Sequence, residues 1–235
     1  KFMPSFLSCK GVGAAAVEEL VTNHPYHNIE ELLWNDDGSW RHSKFNKRAL
    51  ESLIRIRALG SLDVVGDDKM FSSWKHMHEV LINKNSDIKK YTKKDPDRGI
   101  NNFKEALLES SGMEEWTKKE LAQNSISLLG NFNAMALVPE ELQERLEEKG
   151  IRTVDEYDDT DLYWFVVSDT KPKLTKNKKP YLLVTMVGVS GRSERMFLWG
   201  WNPSFAVPLY SVCVAEISKN EYGCSTRMSR FKILS

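Results

Sequence analysis

Apolar positions return at helical spacing up to about residue 150 and at strand-like spacing after about residue 160. In NKRALESLIRIRAL (46–59), Leu50, Leu53, Ile54 and Ala58 form one helical stripe, with Asn46 as N-cap and Gly60 as the stop. A helix after Gly13 is expected over 14–22, and Asn28 caps a short one over 29–34. NDDGSW (35–40) reads as a loop. Asp67 and Asp68 are expected to open a helix running to about Ile82, and further helices are expected near 101–110, 113–129 and 139–149. The last has Pro139 in its first turn, Glu140 and Glu141 at the positive end of its dipole, and Gly150 as its stop. NKNSDIKKYTKKDPDRG (83–99) is polar and charged and reads as a linker or exposed loop. From Asp161, DLYWFVVSD, KPYLLVTMVGV, ERMFLWGW, PLYSVCVAEI and YGCSTRMSRFKIL are rich in β-branched and aromatic residues. Five strands in about 75 residues predict a small barrel.

Composition adds limits. At 235 residues, 41% hydrophobic and 28% charged, the chain is an ordinary soluble globular protein. Net charge is zero, so any attraction for nucleic acid must come from a local basic site. Three scattered cysteines (Cys9, Cys213, Cys224) make no disulfide framework, which suits a reducing, cytoplasmic compartment. Cys213 and Cys224 fall on neighbouring predicted strands and are read as two buried free thiols. No apolar run reaches membrane-span length, so no membrane partner is expected. No signal-peptide pattern opens the chain, and its start at Lys1 reads as a fragment of a longer polypeptide.

The chemistry begins at CKGVGAAAVEEL (9–20). A helix N-terminus presents unpaired N–H groups and the positive end of a dipole. Gly11 and Gly13 would let backbone approach a phosphate with no Cβ in the way, successive amides would form an anion nest, Lys10 would add a charge, and Val12 would anchor the turn. A short apolar segment (PSFLSC), a hairpin (KGVG) and a helix (AAAVEELV) make the pattern of a helix-hairpin-helix, which grips DNA backbone without reading sequence. The competing reading is a glycine-containing helix–helix turn with no ligand. A dinucleotide-binding GxGxxG is disfavoured, since the third glycine is missing and no strand precedes.

In the barrel segment, KPKLTKNKK carries Lys171, Lys173, Lys176, Lys178 and Lys179 on what reads as the loop between the first two strands, a place suited to phosphate tracking. Tyr163, Trp199, Trp201 and Tyr210 are candidates for base stacking, and Arg192 and Arg195 are exposed candidates on the third strand. The competing reading is a solvated hairpin with core aromatics. His24, His27, His76 and His78 make a poor zinc set without nearby cysteines and read as loop or surface residues. DEYDDTD (155–161) and NDDG (35–38) lack EF-hand spacing and read as solvated turns. Ser190 in VSGRS sits in no GxSxG elbow, and no catalytic residue or metal ligand is assigned.

FMPSFLSCKGVGAAAVEELV resembles the helix-hairpin-helix segment of the alpha subunit of bacterial replicative DNA polymerase III, the C-family polymerases, and Val17 in particular is similar to that family. NIEEL, NKRALESLIRIRALGSLD, EEWTKKELAQNSISLLG and KKPYLLVTMVGVSGRSERMFLWGW resemble, in order, the helix after the hairpin, the second hairpin, the approach to the OB domain and the OB strands. The resemblance implies an α+β chain with tandem helix-hairpin-helix motifs over 1–82, a helical connector over 83–155 and a five-stranded OB-like barrel over 156–235. It implies a sequence-independent grip on primer-template duplex by Lys10, Gly11, Val12, Gly13, Ala14, Lys47, Arg48, Arg55, Arg57 and Gly60. Single-stranded template would be held by Lys171, Lys173, Lys176, Lys178, Lys179, Arg192, Arg195 and Trp199. The family's two magnesium ions belong to a palm domain outside this segment, so no cofactor is expected here and no DNA synthesis by this chain alone. The family usually has glycine near Arg57, whereas the turn glycine here reads as Gly60. A sliding clamp is a possible partner in the family, but its binding peptide has no good copy; Met70-Phe71 is the nearest string and reads as helix core. The alternatives are a standalone repair or recombination protein reusing these modules, and an interaction module whose hairpins have lost DNA.

Overall fold

The computed structural model describes residues 6–85, 87–157 and 161–235, so the start of PSFLSC and the middle of DEYDDTD lie outside the described residues. Several helices, though not the first, begin where a polar side chain takes up free amides. Helix α1 (Ala14–Thr22) follows Gly13. In α2 (Ile29–Leu33) Asn28 Oδ1 accepts from Glu31 N at 2.7 Å, and in α3 (Lys47–Arg55) Asn46 Oδ1 accepts from Ala49 N at 3.1 Å. The helix expected from Asp67 starts later, as α4 (Trp74–His78) with Ser73 Oγ accepting from His76 N, and continues as a π-helical turn, Glu79–Lys84. Asp68, at φ 58°, and Gly66, at φ 141°, hold the preceding residues in a turn. Phe71 is buried there outside any helix, bridged to Val65.

Residues 83–99 correct the loop expectation. They contain α5 (Ile88–Lys94) and the start of α6 (Pro96–Glu109), with Asp95 Oδ1 accepting from Arg98 N and Pro96 in the first turn. Their charge masks an inner face of Ile88, Thr92 and Gly99, all buried. Helix α7 (Lys118–Leu129) opens at a capping box between Thr117 and Glu120, later than residue 113. Helix α8 (Glu140–Glu148) ends before Gly150, at φ 62°.

Contacts divide the chain at Gly130/Asn131, inside the stretch expected to be a connector. Phe103, Ala106 and Leu128 join a helical core built on Phe45, Leu50, Leu53, Ile54 and Phe71, whereas Val154 joins the barrel core. In the second unit β1 (Arg152–Thr153) runs parallel to β2 (Asp161–Leu174). Strands β2, β3 (Pro180–Val187) and β4 (Ser193–Trp199) form an antiparallel meander. β4 pairs in parallel with β6 (Gly223–Arg227), β6 pairs antiparallel with β5 (Val212–Asn220), and β5 returns antiparallel to β2. These five strands close a ring; β1 and a short β7 (Phe231–Ile233), paired to β5, make the sheet seven-stranded. The expectation counted five because the last segment is split at Met228–Arg230 and Arg152–Thr153 is too short to show a pattern. Tyr163, Phe165, Val167, Leu182, Val184, Met186, Met196, Leu198, Cys213 and Ile217 fill the interior. No helix among the described residues is long and apolar enough to cross a membrane.

Candidate nucleic-acid interface

The first candidate is the hairpin. Its backbone is tied down on both sides of Lys10: Lys10 N donates to Leu128 O at 2.8 Å, and Ser52 Oγ donates to Lys10 O at 2.9 Å. Gly11 has φ 94°, and a Cβ there would lie 2.6 Å from Ser52 Oγ and 3.3 Å from Arg48 Cγ. Gly13 differs. Its φ of −83° suits any residue, and a Cβ would meet nothing within 4 Å. Val12 is buried in the helical core, whereas Lys10, Gly13, Ala14 and Ala15 are exposed. α1 has no side-chain cap, and the amides of Gly13, Ala14 and Ala15 donate to nothing among the described residues. An exposed row of free amides beside a lysine is chemically an anion site.

At the second hairpin the structure corrects the glycine assignment. α3 ends at Arg55, and Arg57 itself takes the left-handed conformation, at φ 57°; Gly60 takes no positive φ and starts a 3₁₀ turn, Gly60–Leu62. Arg55 Nε donates to Asn124 Oδ1 at 2.8 Å, with Glu51 at 3.7 Å, and Arg57 is paired with Glu115 at 3.2 Å. Arg48 is exposed and Lys47 half-buried, with no carboxylate partner among the described residues.

The second candidate is the outer face of the barrel. A β-bulge sets it up. Val167 faces Met186, but Asp169 faces Thr185, so Ser168 is the extra residue. Before it, odd residues of β2 point into the core; after it, Asp169, Lys171 and Lys173 point out. Lys171 and Lys173 therefore lie on the strand, and only Lys176, Lys178 and Lys179 lie at the β2–β3 turn, a correction to the five-lysine loop. The registers build two outward rows: Lys173–Tyr181–Trp199–Arg227 and Lys171–Leu183–Phe197–Ser225. Each row crosses three strand gaps, about 14 Å, and the rows are about 7 Å apart.

The aromatic members touch. Tyr181 and Trp199 have ring centroids 4.9 Å apart, and Phe197 stacks on Trp199 at 5.5 Å with planes 8° apart. Trp199 is 39% exposed and borders a cleft of about 430 Å³ lined also by Ser218, Ser225, Arg227 and Arg230. Arg195 extends the face along β4, while Arg192 sits in the turn before that strand. Lys173, Arg195 and Arg227 make no ion pair among the described residues; Lys171 is held by Asp169 at 3.2 Å. Residues 162–235 carry eleven Lys and Arg against four Asp and Glu, whereas 131–161 carry three against ten.

Two of the other proposed stackers are core residues, and the third, Tyr210, is half-buried. Tyr163 is fully buried, Trp201 is buried with Nε1 donating to Phe205 O at 2.8 Å, and Tyr210 packs edge-on against Phe132. Tyr181, Phe197 and Arg227 carry no sequence signal of their outward place, since YLLVTMV is bulky at both parities. His76 is buried, not a surface residue, with Nδ1 accepting from Ser72 N at 3.1 Å. Among the described residues no three of His, Cys, Asp and Glu gather as metal ligands.

Fold and surface together define an α+β chain with a small closed barrel bearing a cationic, aromatic outer face. No family model and no curated protein matches the chain, so the polymerase resemblance stands on the residues quoted for it. Among solved structures, the solution structure of the second OB-fold domain of replication protein A from Methanococcus maripaludis is similar over 36% of this chain and 94% of that one. Identity is 14% and the TM-score 0.26, a likeness too slight to carry function.

Proposed function

We propose that the chain is a nucleic-acid-binding, non-catalytic portion of a replicative polymerase alpha subunit. In this reading the OB-like barrel holds single-stranded template, and the hairpin holds primer-template duplex. The observation that carries it is the row Lys173–Tyr181–Trp199–Arg227, in which two touching rings lie between two unpaired cations. Rings offer stacking to any base and the flanking cations offer phosphate contacts, which suits sequence-independent binding. The free amides at Gly13–Ala15 beside Lys10 support a contact with duplex backbone. The polymerase assignment itself rests on the sequence resemblance.

Trp199→Ala and Tyr181→Ala, titrated with a fluorescent oligothymidine, should each weaken binding about five- to 150-fold, the cost of one stacked base. The far-ultraviolet circular dichroism should not change. Unaltered affinity in both variants overturns the barrel reading. The reading frame encoding the chain tests the polymerase assignment: an upstream palm with paired carboxylates is expected, and a frame without one overturns it.

A further inference from the structure

Helix α5 carries a second basic surface, continuous with the hairpin. Ile88 and Thr92 are buried, and Thr92 Oγ1 donates to Ile88 O at 2.8 Å. A Cβ on Gly99 would lie 2.3 Å from Thr92 Cγ2, so the glycine lets α6 press directly on α5. This packing fixes Lys90, Lys93 and Lys94 toward solvent, while the Arg98 guanidinium lies 5.1 Å from the Tyr91 ring centroid. Lys89 Nζ donates to Ser43 O at 3.0 Å, which ties α5 to the loop opening α3, where Lys44, Lys47 and Arg48 follow. Arg48 in turn adjoins Gly11 of the hairpin.

The cations of this unit fall into a paired and an unpaired set, and among the described residues the unpaired set also includes Arg41, Lys104, Lys118 and Lys119. Lys69, Lys75, Lys84, Arg55 and Arg57 each face a carboxylate within 4 Å. Lys10, Lys44, Lys47, Arg48, Lys90, Lys93, Lys94 and Arg98 have no such partner among the described residues. Asp87, Asp95 and Asp97 are the acids of the segment, and Asp95 is occupied as the cap of α6. A helix C-terminus attracts basic residues, which accounts for Lys93 and Lys94 but not for Lys90 or the tract beyond α5. The one aliphatic residue of α5, Ile88, faces inward, so the helix offers no aliphatic side chain to a bilayer.

We propose that α5 is a second phosphate-contacting element, continuing the hairpin's hold along the backbone of the same duplex; this rests on the hairpin reading. The full chain would be titrated with a fluorescent random-sequence duplex over a salt series. Lys90→Gln/Lys93→Gln/Lys94→Gln should flatten the slope of log K against log salt by up to about 2.7, or 0.9 per lost contact. Circular dichroism and oligothymidine affinity should hold. Lys10→Gln/Arg48→Gln is the parallel hairpin variant. If it weakens duplex binding while the α5 variant keeps both affinity and slope, the α5 proposal is overturned and the hairpin reading stands. The reverse pattern overturns the hairpin reading and, with it, the proposal that α5 continues the hairpin's hold. If wild type does not bind duplex, or neither variant alters binding, both fail. Loss confined to phosphatidylserine vesicles also overturns the proposal.

Discussion

Gly11 and Gly13 stand two residues apart in the same turn, yet the structure gives them opposite tolerances. An alanine at 11 must hold φ 94°, where a side chain costs about 1–3 kcal/mol. Its methyl would also stand 2.6 Å from Ser52 Oγ, which is the donor to Lys10 O. Displacing that hydroxyl removes a hydrogen bond of about 0.5–1.5 kcal/mol. Gly11→Ala should therefore destabilise the helical unit by roughly 1.5–4.5 kcal/mol. Gly13→Ala meets open space at an ordinary φ. There a reduced unfolded-state entropy, worth about 0.4–1 kcal/mol, opposes a slightly poorer N-cap, and the net should stay within about 0.5 kcal/mol of zero. Urea titration followed at 222 nm reports chiefly the helices and resolves this difference. A Gly11→Ala midpoint indistinguishable from wild type, or a Gly13→Ala as damaging as Gly11→Ala, refutes the reasoning.

Three further outcomes follow from other sites. Burial pushes the Glu19 carboxyl up, but the amides of Phe45, Ser43 and Lys44 and the Ser43 hydroxyl outweigh it and hold the group at about 2. Because the folded value is depressed, its stabilisation is complete above the usual carboxylate value of 4.5 and is lost as pH falls toward 2. Glu19→Gln should flatten that acid limb of stability against pH, and an unchanged limb counts against it. Gly99→Ala would force Thr92 and the α5 backbone apart and should cost about 1–3 kcal/mol in thermal unfolding; a neutral result disproves the close crossing. Burial raises the thiols of Cys213, to about 11, and of Cys224, to about 12. Both should resist a disulfide reagent at pH 8 until the barrel unfolds, and rapid native labelling of either would contradict their burial.

The helix caps were legible because a cap is local: Asn28 and Asn46 each bond an amide three residues on. Residues 83–99 were not, because five cations and three acids between 87 and 98 outnumber the buried positions 88, 92 and 99 that make the helix pair. Arg57 carries a left-handed turn without the glycine that signals one, and the nearby Gly60, which would signal one, takes no special conformation. The strands were legible, but their faces were not. In YLLVTMV both parities are bulky, and only the cross-strand register puts Tyr181 outward and Leu182 inward. The bulge at Ser168 leaves no mark in the composition. It nevertheless decides that Lys171 and Lys173 share a face with Trp199.

A net charge of zero excludes a long-range pull on nucleic acid but does not bear on this face. At physiological salt the screening length is about 8 Å, shorter than the roughly 14 Å span of one row. A phosphate at the row therefore responds to its immediate neighbours, not to the sum over the chain. The acids on the outer face are spoken for in part: Asp169 by Lys171 and Glu216 by Arg230. Lys173, Arg195 and Arg227 keep their charge uncompensated by any ion pair among the described residues, and they flank the exposed rings. Neutrality of the whole and a cationic face are thus compatible, because the balancing carboxylates sit mainly in residues 131–161, outside the strands that carry the rows.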